Sequence, residues 1–214
     1  WNAFLPDLWE YDTTSGAWSQ MASLSSSGRA YAVGFSVNGK GYVGTGIDDI
    51  GTTLNDFYEL DPANNTWTQK NFIPGERYGA TGFSAGGKGY VGLGWNTQSY
   101  FLNDFWEFDP SVSSWTQITA FPGTARYGIA TFTAGSKAYL AAGADSNYYG
   151  VQEVWEYNPS STQWTQKADF AGTAREFPIG FSIGGKGYVG TGYDLNNYVK
   201  DLYEYDPAND SWAQ

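Results

Sequence analysis

Hydrophobic positions in this chain fall in short runs bounded by glycine, proline, asparagine and aspartate, and few segments have the length and 3.6-residue apolar spacing of a helix. The stretch after Arg77 serves as the example. A first strand is predicted near Gly79–Ala85, the turn Gly86-Gly87 follows, and a second strand covers Gly89–Gly94 with Tyr90 and Val91. A longer loop, Trp95–Asn103, leads to a third strand at Phe105–Phe108, and Asp109-Pro110 turns the chain into a fourth around Trp115. Gly86-Gly87, Gly184-Gly185 and Asn38-Gly39 are tight hairpin signals, because such residues adopt the positive φ of two-residue turns cheaply. Pro62, Pro110, Pro159 and Pro207 stand just after third strands, where a missing N–H costs little.

The pattern repeats. Asp-x-aromatic-Glu-aromatic-Asp begins at Asp7, Asp56, Asp104, Glu153 (a Glu variant) and Asp201, in steps of 49, 48, 49 and 48 residues. Eleven residues after each start stands Trp18, Trp67, Trp115, Trp164 or Trp212. Arg29, Arg77, Arg126 and Arg175 keep the period, as do Lys40, Lys88, Lys137 and Lys186 in Gly-rich turns. Four antiparallel strands per unit, each sheet needing a neighbour on both faces, describe the blades of a β-propeller. An aromatic content of 19% and 28 glycines fit short strands, tight turns and aromatic filling between blades.

These units resemble kelch repeats over essentially the whole chain. The resemblance rests on Arg77-Tyr78-Gly79 and Arg126-Tyr127-Gly128, on Gly-Lys-Gly-Tyr-Val-Gly in second strands, on Leu-Asn-Asp-Phe before third strands, and on Asp-Pro followed by Trp-Thr-Gln. The Gly-Gly doublet of the family stands here as Gly-x-Gly at Gly44-Thr45-Gly46, Gly92-Leu93-Gly94 and Gly190-Thr191-Gly192, and as Ala141-Ala142-Gly143 in the fourth unit. This variant resembles kelch proteins that bacteria secrete or display, and the central propeller of galactose oxidase without its copper site. The resemblance implies an extracellular or cell-surface setting and a ring of about six or seven blades. The fold class is therefore all-β, a kelch-type propeller of four-stranded antiparallel blades. Residues 1–22 form a half blade, and 23–70, 71–119, 120–168 and 169–214 form blades of one domain. Four and a half blades point to a segment of a larger ring. The alternative is a chain that closes by self-association through open blade edges.

Strand direction alternates within a blade, so the two–three loops and four–one connections share one face and the short turns share the other. The two–three loops, 47–55, 95–103, 144–152 and 193–200, differ from unit to unit and are rich in Tyr, Trp and Asn. Such loops suit a protein or glycan ligand. The candidate binding residues there are Trp95, Asn96, Tyr100, Tyr148, Tyr149, Tyr193 and Tyr198. The other reading is that these aromatics cover their own blades. Arg29, Arg77, Arg126 and Arg175 are candidates by resemblance, since arginine at this position in kelch adaptors reaches acidic peptide groups; a structural contact is the alternative. In the fourth unit Arg175-Glu176-Phe177-Pro178 replaces Arg-Tyr-Gly, which argues against a ring of identical sites.

Charge and composition narrow the function classes. A net charge of −11, from 22 acidic and 11 basic residues, is a poor match for nucleic acid and for anionic membranes. No apolar run approaches the length of a membrane helix. With no His and no Cys, the chain lacks an imidazole base, a thiolate nucleophile and the ligands of a copper radical site. Asp48-Asp49 lacks the spacing of a calcium cage, and no metal or cofactor is expected. The expected function is a non-catalytic binding module; a structural assembly protein and a carbohydrate-active hydrolase using paired carboxylates are the alternatives.

Overall fold

A computed structural model describes residues 3–98 and 100–214. All of its regular elements are strands. A two-stranded half blade pairs β1 (Leu8–Asp12) with β2 (Ala17–Met21). The first full blade is β3 (Val33–Val37), β4 (Lys40–Gly44), β5 (Phe57–Asp61) and β6 (Thr66–Lys70). The second is β7 (Thr81–Ala85), β8 (Lys88–Gly92), β11 (Phe105–Asp109) and β12 (Ser114–Ile118). Its two–three loop holds a miniature hairpin of β9 (Trp95–Asn96) and β10 (Tyr100–Phe101). The third is β13 (Ala130–Ala134), β14 (Lys137–Ala141), β15 (Val154–Asn158) and β16 (Gln163–Lys167). The fourth is β17 (Ile179–Ile183), β18 (Lys186–Gly190), β19 (Leu202–Asp206) and β20 (Ser211–Ala213).

Each full blade is an antiparallel meander, and the first strands lie innermost: β3 beside β7, β7 beside β13, and β13 beside β17. The predicted strands of the second blade are longer than the observed ones at the loop face. Gly79 (φ +61°) begins before β7, and Leu93 and Gly94 (φ +59° and +85°) end β8, because left-handed backbone cannot continue a ladder.

One packing rule recurs at two of the three boundaries between full blades; at the third, Ala138 stands where the other blades have glycine. The inner-strand phenylalanine of one blade enters the space left by a side-chain-free position on the second strand of the next. A Cβ on Gly89 would lie 2.3 Å from Phe35 Cε2, and one on Gly187 would lie 2.1 Å from Phe132 Cε2. The Trp of each fourth strand then ties its blade to the preceding unit. Trp67, Trp115, Trp164 and Trp212 donate from Nε1 to the carbonyls of Ala22, Asn71, Thr119 and Ala168 at 2.8–3.1 Å. Within blades, Tyr42, Tyr90, Tyr139 and Tyr188 donate to Glu59, Glu107, Glu156 and Glu204. Burial and that bond push the phenol pKa of the first three well above its ordinary value, so they remain neutral donors.

The rule also shows where neighbours are missing. Val37 is 4% exposed against the second blade, whereas Ile183, its equivalent in the fourth, is 62% exposed. Phe57, Phe105 and Val154 are fully buried, while their equivalent Leu202 is 46% exposed. At the other end Trp18 is exposed. Val37→Asp is therefore expected to destabilise the 214-residue chain by about 3–5 kcal/mol, through a buried unpaired charge. Ile183→Asp should stay within about 0.5 kcal/mol of the parent. Urea unfolding of both variants checks this, and equal losses would mean that the fourth blade's face is covered in solution.

Candidate functional site

The loop face rests on a frame built from the four arginines. Each guanidinium grips the carboxylate that opens the third strand of its own blade: Arg29 with Asp56, Arg77 with Asp104, Arg126 with Glu153 and Arg175 with Asp201. Arg77 binds both Asp104 oxygens, at 2.8 and 2.9 Å. The same head reaches the carbonyl of the middle residue of Gly-x-Gly: Thr45, Leu93, Ala142 or Thr191. One side chain thus joins the approach to the first strand, the end of the second and the start of the third. Burial alone would raise the Asp104 carboxyl; the hydrogen bonds and charge of Arg77 outweigh it and hold the group below its ordinary value of 3.8.

This placement corrects the expectation that the arginines meet an acidic ligand. Arg77 and Arg175 are 0% exposed, Arg126 is 1% exposed, and all four heads are occupied by carboxylates of the chain itself. Both columns stood in the repeat, but arginine and carboxylate are 26–27 residues apart and only the fold pairs them. The fourth column member, Glu153, keeps the pairing despite the change from Asp.

The two–three loops share a hidden design. Each begins with an Asx turn, in which a side-chain oxygen accepts backbone N–H groups two to four residues on. Asp48 holds Ile50 and Thr52, Asn96 holds Gln98, Asp145 holds Asn147 and Tyr149, and Asp194 holds Asn196 and Asn197. The base of each loop pairs with the four–one connection beside it, as in Tyr78 with Trp95 and Glu176 with Tyr193. Asp48 is therefore a turn residue, as its Oδ1 already serves two backbone donors.

On this frame lies a continuous aromatic surface. Phe177 meets Tyr31 (ring centroids 5.5 Å apart) and Tyr127 (5.4 Å). Tyr127 continues to Tyr148 and Phe101, and Phe101 to Trp95. Trp95 meets Tyr78, which returns to Tyr31. Backbone bonds stitch the same segments together: Phe177 N–H donates to the Gly128 carbonyl, Gly128 N–H to Gly79, and Gly79 N–H to Tyr31. All four residues at this position have positive φ, yet Tyr31 (+56°) and Phe177 (+52°) are not glycine. Holding large side chains in that conformation costs about 1–2 kcal/mol each, and here it presents both rings at the centre of the loop face.

Of the predicted residues, Tyr148 and Tyr149 are exposed, and Trp95 is half-buried within the aromatic surface. Asn96 is buried in its turn. Tyr100 pairs through its backbone with Asn96, and its side chain lies outside the described residues. Tyr193 is half-buried, meets Tyr198 in a tilted ring contact at 5.1 Å and donates to the Leu195 carbonyl. Tyr198 is 89% exposed. A groove of about 700 Å³ runs between these last two and the centre of the face, lined by Tyr31, Glu176, Phe177, Tyr193, Tyr198 and Val199. Sequence reasoning missed Tyr31, Glu176 and Phe177 as site residues. Tyr31 and Phe177 stand two residues after the repeating arginine and Glu176 one residue after it, positions that read as strand-opening motif.

Residues 2–124, more than half of the chain, match the family described as the KLHDC2/KLHL20/DRC7 Kelch-repeats domain. Among solved structures, the "Structure of YjhT" superposes with a TM-score of 0.83 at 19% identity, covering 97% of this chain and 77% of YjhT. At that identity the likeness speaks to fold. No curated protein matches the chain. The radial blades, the repeated Arg–carboxylate clamp and the family match agree, and the chain belongs to the kelch-repeat family of β-propellers.

Proposed function

We propose that this propeller is a non-catalytic binding module that holds a protein or glycan on its loop face. The observation that carries the reading is the unbroken run of ring contacts from Phe101 to Tyr31 and Phe177, flanked by exposed Tyr148, Tyr149 and Tyr198. Rigid aromatics on preorganised turns give contact area at low entropic cost. Peptide and glycan arrays probed with the parent chain and with Tyr31→Ser/Tyr148→Ser/Tyr198→Ser test it. Selective binding by the parent that drops at least tenfold in the triple variant is expected. Binding unaffected by the triple change, or turnover of a panel of chromogenic glycosides, would overturn the reading.

A second reading, assembly through the uncovered face of the fourth blade, is favoured by exposed Ile179, Phe181, Ile183 and Leu202. Their equivalents in the other blades are covered by a neighbouring sheet. Sedimentation of the 214-residue chain separates the two, since a compact monomer at high concentration speaks against assembly.

A further inference from the structure

The charges of the loop face are one-sided once the arginines are accounted for. Asp48, Asp49, Asp145, Glu176 and Asp194 stand in its loops and connections, and none is ion-paired among the described residues. The one lysine in the same segments, Lys200, is exposed. The other six lysines are each ion-paired to a carboxylate of this chain. In the three Asx turns formed by aspartates, at Asp48, Asp145 and Asp194, Oδ1 takes the backbone donors, and Oδ2 has no partner among the described residues. Among the described residues, Glu176 is the one charged residue lining the central groove. Its Oε2 accepts the Tyr127 hydroxyl at 2.5 Å, which orients the carboxylate, and Oε1 has no hydrogen bond among the described residues.

Resting on the binding-module reading, we propose that the ligand of this face is a cationic peptide segment. An arginine or lysine side chain lies in the groove against Tyr31, Phe177 and Tyr198, with its head on Glu176 Oε1. Two physical terms favour that occupant over a neutral or acidic one. Aromatic faces attract a cation through their quadrupole, and a carboxylate fixed by a neighbouring phenol meets a guanidinium or ammonium without reorganising. An acidic peptide finds no free guanidinium here, because every arginine is bound to its own blade. The surrounding acidic loops draw the cation in over a range set by ionic strength.

The test uses four fluorescent octapeptides of Gly and Ser carrying three Arg, three Lys, three Gln or three Glu residues. Each is titrated by anisotropy against the parent chain, Glu176→Gln, Tyr198→Ala and, as an equal charge change on the remote exposed strand β1, Glu10→Gln. The Arg peptide is expected to bind tightest and to weaken as salt rises. Glu176→Gln should reduce its affinity about tenfold, Tyr198→Ala several-fold, and Glu10→Gln less than twofold. Equal binding of the Gln or Glu peptide, or an Arg-peptide affinity unchanged by Glu176→Gln, overturns the cationic ligand. If a neutral peptide or a chitohexaose control binds and still loses affinity in Tyr198→Ala, the binding face stands and only the charge assignment falls. Absence of binding by every cationic probe at millimolar concentration also overturns the inference, and the array comparison then decides the module reading separately.

Discussion

Replacing Asp104 by alanine is expected to destabilise the chain by about 3–5 kcal/mol, the cost of leaving a buried charge without its partner. Arg77 is fully buried and places two nitrogens on that carboxylate. The guanidinium cannot lose its proton, so it stays charged in its buried setting. Removing both charges in Arg77→Met/Asp104→Leu should recover only part of the loss. The arginine also serves the carbonyls of Pro74 and Leu93, which the double variant strands. Equilibrium urea unfolding followed by tryptophan fluorescence reads both numbers. A loss below 1 kcal/mol for Asp104→Ala would show that the clamp is dispensable.

The same pairs set the acid limb of stability. Asp104, Glu153 and Asp201 have carboxyl pKa values below their ordinary ones. In the first two, burial works in the opposite sense and the paired guanidinium outweighs it; in the third, the Arg175 hydrogen bond is the largest cause. Hydrogen bonds from Lys40 and Lys88 bring Asp61 and Asp109 to about 2. A depressed folded-state value means that the folded form holds its protons less tightly than the unfolded form. The stabilisation is complete above the ordinary carboxylate range and is lost as pH falls from near 4 toward 2.

Gly94→Ala is the second large effect, about 2–5 kcal/mol from backbone strain and overpacking together. Gly94 has φ +85°, and a Cβ there would lie 2.8 Å from the Ala80 Cα and N and from the Tyr78 carbonyl oxygen, all backbone atoms that cannot swing aside. Its N–H also donates to the Arg126 carbonyl of the next blade at 3.0 Å, so any relief of the clash breaks a link between blades. Gly87→Ala is the matched control. Its φ is +77° with nothing within 4 Å of the added carbon, so only the conformational cost of about 1 kcal/mol remains. Thermal unfolding of the two variants should separate clearly; equal shifts would mean that strain alone, and not the crowded crossing of segments, constrains the position.

The Gly94 position shows why the family's glycine doublet survives here as Gly-x-Gly. The last glycine is irreplaceable on steric grounds, whereas the middle position accepts Thr45, Leu93, Ala142 and Thr191 at φ between +57° and +60°. What the four units share there is the carbonyl, held by the arginine, while the side chain differs from unit to unit.

Much of this molecule was legible in one dimension. A 48–49-residue period, glycine-rich hairpin turns and recurrent aromatics determine four-stranded units, and units that each leave two apolar faces uncovered must stack around an axis. Strand order and the division of loops into two faces follow from alternating direction alone. Three features waited for the tertiary structure, for one physical reason: each depends on atoms that are near in space and remote along the chain. The arginines stood open between ligand contact and structural contact until the fold set carboxylates 26–27 residues away against them. The loops looked unrelated until their common Asx turns appeared. Tyr31, Glu176 and Phe177 looked like strand openings until crossing segments from four units brought them to one groove. Period and pattern decide which sheets form, while side-chain chemistry at the face is decided by which turns the stacked blades carry together.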